Sequence, residues 1–137
     1  GMTITKDGDP TIVTVVRTEE LFEDYVEVRV KVHSSGLDSC DHLGFIAPNF
    51  AYSAINQHNV PNFALQLKSG TLTSRGEGIP GKVLELPRSD RKFDAEIVLS
   101  CDLQQKLCRV TCGEETVECA WPDCPPEVYF ATSLRSV

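Results

Sequence analysis

The sequence predicts an all-β domain, an antiparallel β-sandwich or barrel. Three observations carry that expectation. Val26, Val28, Val30 and Val32 alternate with charged residues in "YVEVRVKV", the period of a half-buried strand. Turn-forming clusters punctuate the chain at Asp7-Gly8-Asp9-Pro10, Ser35-Gly36, Ser69-Gly70, Pro87-Arg88-Ser89-Asp90 and Cys124-Pro125-Pro126. Helical periodicity is almost missing: the longest helical stretch, "RTEELFEDY", is short and runs straight into the valine strand. Without crossover helices, antiparallel pairing is expected.

Taken in order, strands are expected at "TIVTVV", "YVEVRVKV", "HLGFIA", "FALQLKS", "GKVLELP", "DAEIVLSC", "LCRVTC", "TVECAW" and "EVYFATSL". "VLELP" alternates and stops at Pro87, which cannot donate to a ladder. In "DAEIVLSC", Ile97, Leu99 and Cys101 share one parity and so one face. One long connection, Pro48 to Pro61 ("PNFAYSAINQHNVP"), has no strand pattern, and loops of that length are often functional.

"LCRVTCGEETVECAW" holds three of the six cysteines around one glycine. A two-residue turn at Gly113-Glu114, with Gly113 supplying the positive φ of a type II′ turn, sets the register. Cys112 then faces Glu115, Thr111 faces Thr116, Val110 faces Val117, Arg109 faces Glu118, and Cys108 faces Cys119. Arg–Glu and Thr–Thr pairs share one face, while Cys108, Val110, Val117, Cys119 and Trp121 share the core face. Four residues of strand separate Cys108 from Cys112 by about 13 Å, too far for a disulfide or a shared zinc. A Cys108–Cys119 bridge stays open, and the expected state is reduced core thiols, with Cys101 beside Cys108.

The chain is 137 residues long, one domain's worth, and carries 13 Lys and Arg against 20 Asp and Glu for a net charge of -7. That balance disfavours nucleic acid and anionic membrane surfaces. Gly1 reads as an expression remnant ahead of Met2, leaving 2–137 as the domain. "TITKDGDPTI" lacks the apolar core of a secretory signal, and no N-x-[ST] sequon is present, so a reducing cytoplasmic location is expected.

Catalytic and cofactor motifs fail on inspection. "GEGIPGK" (Gly76 to Lys82) matches G-x₄-G-K, but Val83 stands where a magnesium-binding hydroxyl belongs and no helix follows. It reads as a glycine-rich turn. No G-x-S-x-G elbow occurs, and His33, His42 and His58 each sit near a turn, where exposed or loosely packed imidazole is expected. No cofactor and no metal are expected, and no enzyme activity. The "EELFED" run reads as a solvated acidic face.

The strand order resembles that of SPRY domains. "TITKDGDPTIVTV" before "DYVEVRVKV" is similar to their opening strand, turn and "yfEV" strand, with Tyr25, Glu27 and Val28 in place and Val26 at the second aromatic position. "LGFIAP" (Leu43 to Pro48) resembles their "iGfa" strand, and "FALQLKSGTLTS" (Phe63 to Ser74) their "yal…sG.l.s" segment. "FDAEIVLSCDLQQKLCRVTC" resembles the stretch in which a hydrophobic strand ends in Asp, here Asp102. "VYFATSL" (Val128 to Leu134) is similar to the closing "lyPa.sl", with Phe130 in place of the proline, and "VTCGEE" replaces the "f.kNG" hairpin tip.

That resemblance implies a bent, antiparallel two-sheet β-sandwich, concanavalin-like, acting as a non-catalytic protein-interaction module through loops at one edge. Such domains often serve as adaptor or substrate-reading parts of ubiquitin-ligase or signalling assemblies. A lectin-like carbohydrate-binding jelly roll using Tyr52, Asn56 and Gln57 is the first alternative, and a small β-barrel enzyme the second. The expected binding residues are Tyr52, Asn56, Gln57 and His58 on the long connection. Arg75, Arg88 and Arg91 join them if the fold brings their turns to the same edge. Tyr, Arg and carboxamides are suited to reading a protein or peptide ligand.

Overall fold

The computed structural model describes residues 2–5, 13–34, 41–49, 62–86 and 93–135. In chain order their strands are β1 (Met2–Thr5), β2 (Val13–Arg17), β3 (Phe22–Glu23), β4 (Tyr25–Ser34), β5 (His42–Ile46), β6 (Asn62–Gln66), β7 (Thr71–Ser74), β8 (Glu77–Val83), β9 (Phe93–Asp102), β10 (Leu107–Cys112), β11 (Glu115–Ala120) and β12 (Glu127–Arg135). They form two sheets around one shared core, one ordered β1-β4-β9-β10-β11 and the other β2-β12-β5-β6-β7-β8, with β3 against β12. Among the described residues there is no helix. The stretch expected to come nearest to one supplies β3, whose Phe22 and Glu23 lie opposite Val128 and Glu127.

The first sheet follows the alternation of its sequence. Val26, Cys101, Cys108 and Cys119 line up across four strands facing the core, and Val28, Leu99, Val110 and Val117 form the next row. Outward positions pair in polar fashion: Arg29 with Glu96 at 2.9 Å, His33 with Asp94 at 2.9 Å, and Thr111 with Thr116 at 3.0 Å. Arg109 donates to Glu118 through Nε at 3.1 Å. The β10–β11 register is the expected one, with Cys112 opposite Glu115 and Cys108 opposite Cys119. Gly113 has φ 61°, and Glu114 is not left-handed, as a type II′ turn requires.

One strand departs from antiparallel pairing. β1 runs parallel to β4, with Met2 opposite Val30 and Thr5 opposite His33. Parallel neighbours need a crossover, and here β2 and β3 supply it by passing through the other sheet.

The second sheet is buried more deeply. All five residues of β5 are buried. Leu43 and Phe45 face the main core, while Ile46 meets Ala64 and Ala131 in a smaller cluster with Tyr129 on the opposite face. His42 opens this strand and is only 1 % exposed, so the expectation of a loosely packed imidazole is corrected. A methyl at Gly44 would lie 2.0 Å from the Phe63 carbonyl oxygen, so only hydrogen fits. Phe45 meets Phe130 edge-on at 6.0 Å, and Trp121, fully buried, tilts onto Phe63 at 5.9 Å. Each such aromatic contributes about 1.5–3 kcal/mol by leaving water.

Strand boundaries also shift around the glycine-rich stretch. Of Gly76 to Lys82, expected as a turn, all but Gly76 lie in strand β8 (Glu77–Val83), and Leu84–Leu86 of the expected strand "GKVLELP" lies beyond the ladder. Pro80 is tolerated because β8 is an edge, where a missing N–H breaks no ladder bond. The β7–β8 register slips between Thr71 and Thr73, which absorbs the irregularity.

Candidate functional site

One end of the sandwich gathers connections from both sheets. The β9–β10 turn is closed by Asp102, whose Oδ1 accepts the backbone N–H groups of Gln104 (3.1 Å) and Gln105 (3.0 Å). Lys106 completes it with φ 57°. The β3–β4 corner stands beside it at Asp24, φ 65°, whose carbonyl accepts Leu103 N–H at 2.8 Å and whose Oδ1 accepts Gln104 Nε2 at 2.9 Å. Short polar side chains tolerate this left-handed geometry best, which accounts for an aspartate at the corner.

The β11–β12 connection closes over these turns. Trp121 N–H donates to the Lys106 carbonyl at 2.8 Å, and Cys124 N–H to the Trp121 carbonyl at 3.0 Å. Lys106 Nζ reaches the Pro122 carbonyl at 3.3 Å. The β7–β8 turn joins from the other sheet. Arg75 and Gly76 have φ 52° and 79°, the two positive values of a type I′ turn, and Arg75 Nε donates to Asp123 Oδ2 at 2.9 Å. Arg75 N–H also donates to the Asn62 carbonyl at 3.2 Å, which places this turn beside the β6 end of the long β5–β6 connection.

Of the residues expected to bind, Arg75 is the one within the described residues, and it lies on this rim. Tyr52, Asn56, Gln57 and His58 lie outside the described residues, on the segment between Asn49 and Asn62, which is bordered by the rim ends of β5 and β6. Arg88 and Arg91 also lie outside them; the strand ends that border their segment, Val83 and Phe93, belong to the opposite end of the sandwich. Asp24, Gln104, Lys106 and Asp123 were not singled out by the sequence. Their only local signals are an Asp before a strand in "FEDY" and an Asp-led turn in "CDLQQK".

Beneath the rim lie thiols. Cys108 Sγ approaches Cys101 Sγ at 3.5 Å, and Cys101 and Cys124 are 3.9 Å apart. The five described cysteines are free and buried, as strand parity anticipates for Cys101, Cys108, Cys112 and Cys119; Cys124, read from the sequence only as part of a turn, is buried with them. Hydrogen bonding to Cys108, reinforced by burial, pushes the Cys101 thiol up, and hydrogen bonding to Cys101 with burial does the same at Cys124. Burial alone raises Cys112, and it is the main cause at Cys119. Such thiols stay protonated, and a protonated thiol is neither nucleophile nor metal ligand. Among the described residues no group of three or more His, Cys, Asp or Glu is arranged to hold a metal ion.

An all-β sandwich with its connections drawn to one rim defines a loop-presenting scaffold. Its fold is SPRY-like: the chain superposes on the SPRY domain of human HERC1 with a TM-score of 0.67, covering 90% of this chain and 76% of that one at 11% identity. No protein-family model matches the sequence, and no curated protein matches it.

Proposed function

We propose that this domain is a non-catalytic protein-interaction module that binds a protein or peptide through the rim just described. The observation that carries the reading is the convergence of four connections from both sheets, held together by the Arg75–Asp123 and Gln104–Asp24 bonds. A rigid sandwich that positions loops is a recurrent basis for recognition. The raised thiol pKa values weigh against Cys101 and Cys124 as nucleophiles, since a cysteine nucleophile needs the opposite shift. The SPRY-like fold supports a finer reading as a cytoplasmic adaptor or substrate-reading part of a ubiquitin-ligase or signalling assembly. In this reading Tyr52, Asn56, Gln57 and His58 extend the rim from the long connection, with Arg75 at its base.

The test is selection of peptide ligands from a displayed random library on the immobilised domain, followed by affinity measurement on variants. Tyr52→Ala and Asp123→Asn are expected to weaken binding by about 1–3 kcal/mol, with Thr116→Ala at the hairpin end as the neutral control. Ligands that respond to the control and ignore both rim variants would move the site elsewhere.

A further inference from the structure

A cleft of about 480 Å³ opens in this rim between the β3–β4 corner, the β9–β10 turn and the β11–β12 connection. Its floor is apolar, made by Leu103, Cys124 and Pro126, and its walls carry Glu23, Asp24, Gln104 and Lys106. Leu103 and Cys124 are 5 % and 6 % exposed, so the floor is a firm surface set by the core beneath it.

The charge around this cleft is unbalanced in a specific way. Glu23 lies directly opposite Glu127 in the β3–β12 ladder, a like-charge pairing that costs stability where opposite charges would contribute it. Asp24 follows immediately. None of these three carboxylates has an ion pair among the described residues. The cationic residue in the cleft wall, Lys106, turns its Nζ to the Pro122 carbonyl instead. Arg75, a second cation on this rim, is engaged by Asp123.

We infer that the cleft receives a lysine or arginine side chain of a partner protein. The inference rests on the rim being the binding face. The apolar floor covers the aliphatic stem of such a residue, and the Glu23 and Asp24 carboxylates take its charged end. Charge complementarity selects this occupant: an acidic partner residue would meet uncompensated carboxylates, and a purely apolar one would leave them facing it. The net charge of -7 adds a long-range attraction for basic segments.

The experiment uses short random peptides displayed against the wild-type domain and against Glu23→Gln/Asp24→Asn. The Asp24→Asn change keeps the oxygen acceptor used by Gln104, and asparagine tolerates the left-handed backbone. An unchanged melting temperature confirms that the variant folds. The expected result is that peptides enriched on the wild type share a Lys or Arg. Replacing it with Gln, or binding to the double variant, lowers affinity about tenfold, and the two changes together cost little more than either alone. Peptides that lose binding with Tyr52→Ala or Asp123→Asn but carry no basic residue, or ignore Glu23→Gln/Asp24→Asn, overturn this inference and leave the rim standing. Peptides indifferent to every rim variant overturn both readings, as does the absence of any enrichment.

Discussion

The two ends of the sandwich solve the same backbone problem with different residues. At the hairpin end the left-handed positions are glycines, Gly70 at φ 76° and Gly113 at φ 61°. At the rim Asp24, Arg75 and Lys106 adopt that geometry, with Gly76 alone as a glycine. These three are all the described non-glycine residues with positive φ. A left-handed L-residue costs roughly 1–2 kcal/mol relative to the right-handed form. Where stability alone acts, glycine takes the position; where side chains are kept despite that cost, they hold the rim together or face its cleft.

Substitutions can break or sharpen this contrast, beginning with the severest. Gly70→Ala places a methyl 2.0 Å from the Leu84 carbonyl oxygen at φ 76°, combining a clash with left-handed strain. A loss of about 3 kcal/mol or more is expected in urea denaturation.

The thiols give the next effect. Folded-state pKa values at Cys101 and Cys124 lie above the ordinary thiol value of 9.0, so their contribution is complete below that pH. As pH rises past 9.0 the unfolded chain ionises while the folded thiols stay protonated, and stability falls by about 1.4 kcal/mol per pH unit per thiol. Alkaline denaturation series should show Cys124→Ala flattening this decline. Thiol alkylation followed by intact mass should label the five described cysteines mainly after unfolding.

Gly113→Ala meets nothing within 4 Å, so it isolates the backbone term. It should cost about 1–2 kcal/mol by thermal melting. Lys106→Gly at the rim should do the reverse, leaving stability level or raising it by up to about 1 kcal/mol, because strain relief offsets the entropy of glycine. A clear destabilisation there would mean that the rim is built for stability after all. Smallest of all, Arg109→Gln removes an exposed pair with Glu118 and should leave the denaturation midpoint within the scatter of the wild type.

The sequence was legible where one face of a strand meets water. Around Gly113 the period of two and the turn's demand for positive φ fix the whole β10–β11 register, including the parity of every cysteine in it. Legibility ends where both faces are covered. In β5, "HLGFI" is buried throughout, so alternation carries no information and the burial of His42 has no sequence signature. It also ends at β8, whose Gly78, Pro80 and Gly81 look like a turn and are tolerated only because that strand has one neighbour. The rim itself is a product of topology. Asp24 and Gln104 are eighty positions apart, and Arg75 and Asp123 forty-eight, so no local pattern joins them.

The place of β12 has a consequence for biosynthesis. This strand, Glu127–Arg135, lies between β2 and β5 inside its sheet and also receives β3. A ribosome therefore delivers β2, β3 and β5 long before the segment that unites them, and the apolar face of β5 waits without its neighbour. The second sheet completes only after Glu127–Arg135 has been synthesised, and pairings this distant in sequence form slowly. Loss of the Glu127–Arg135 segment would leave β2 and β3 without a ladder partner and β5 with β6 as its one neighbour, while β1-β4-β9-β10-β11 would keep every strand.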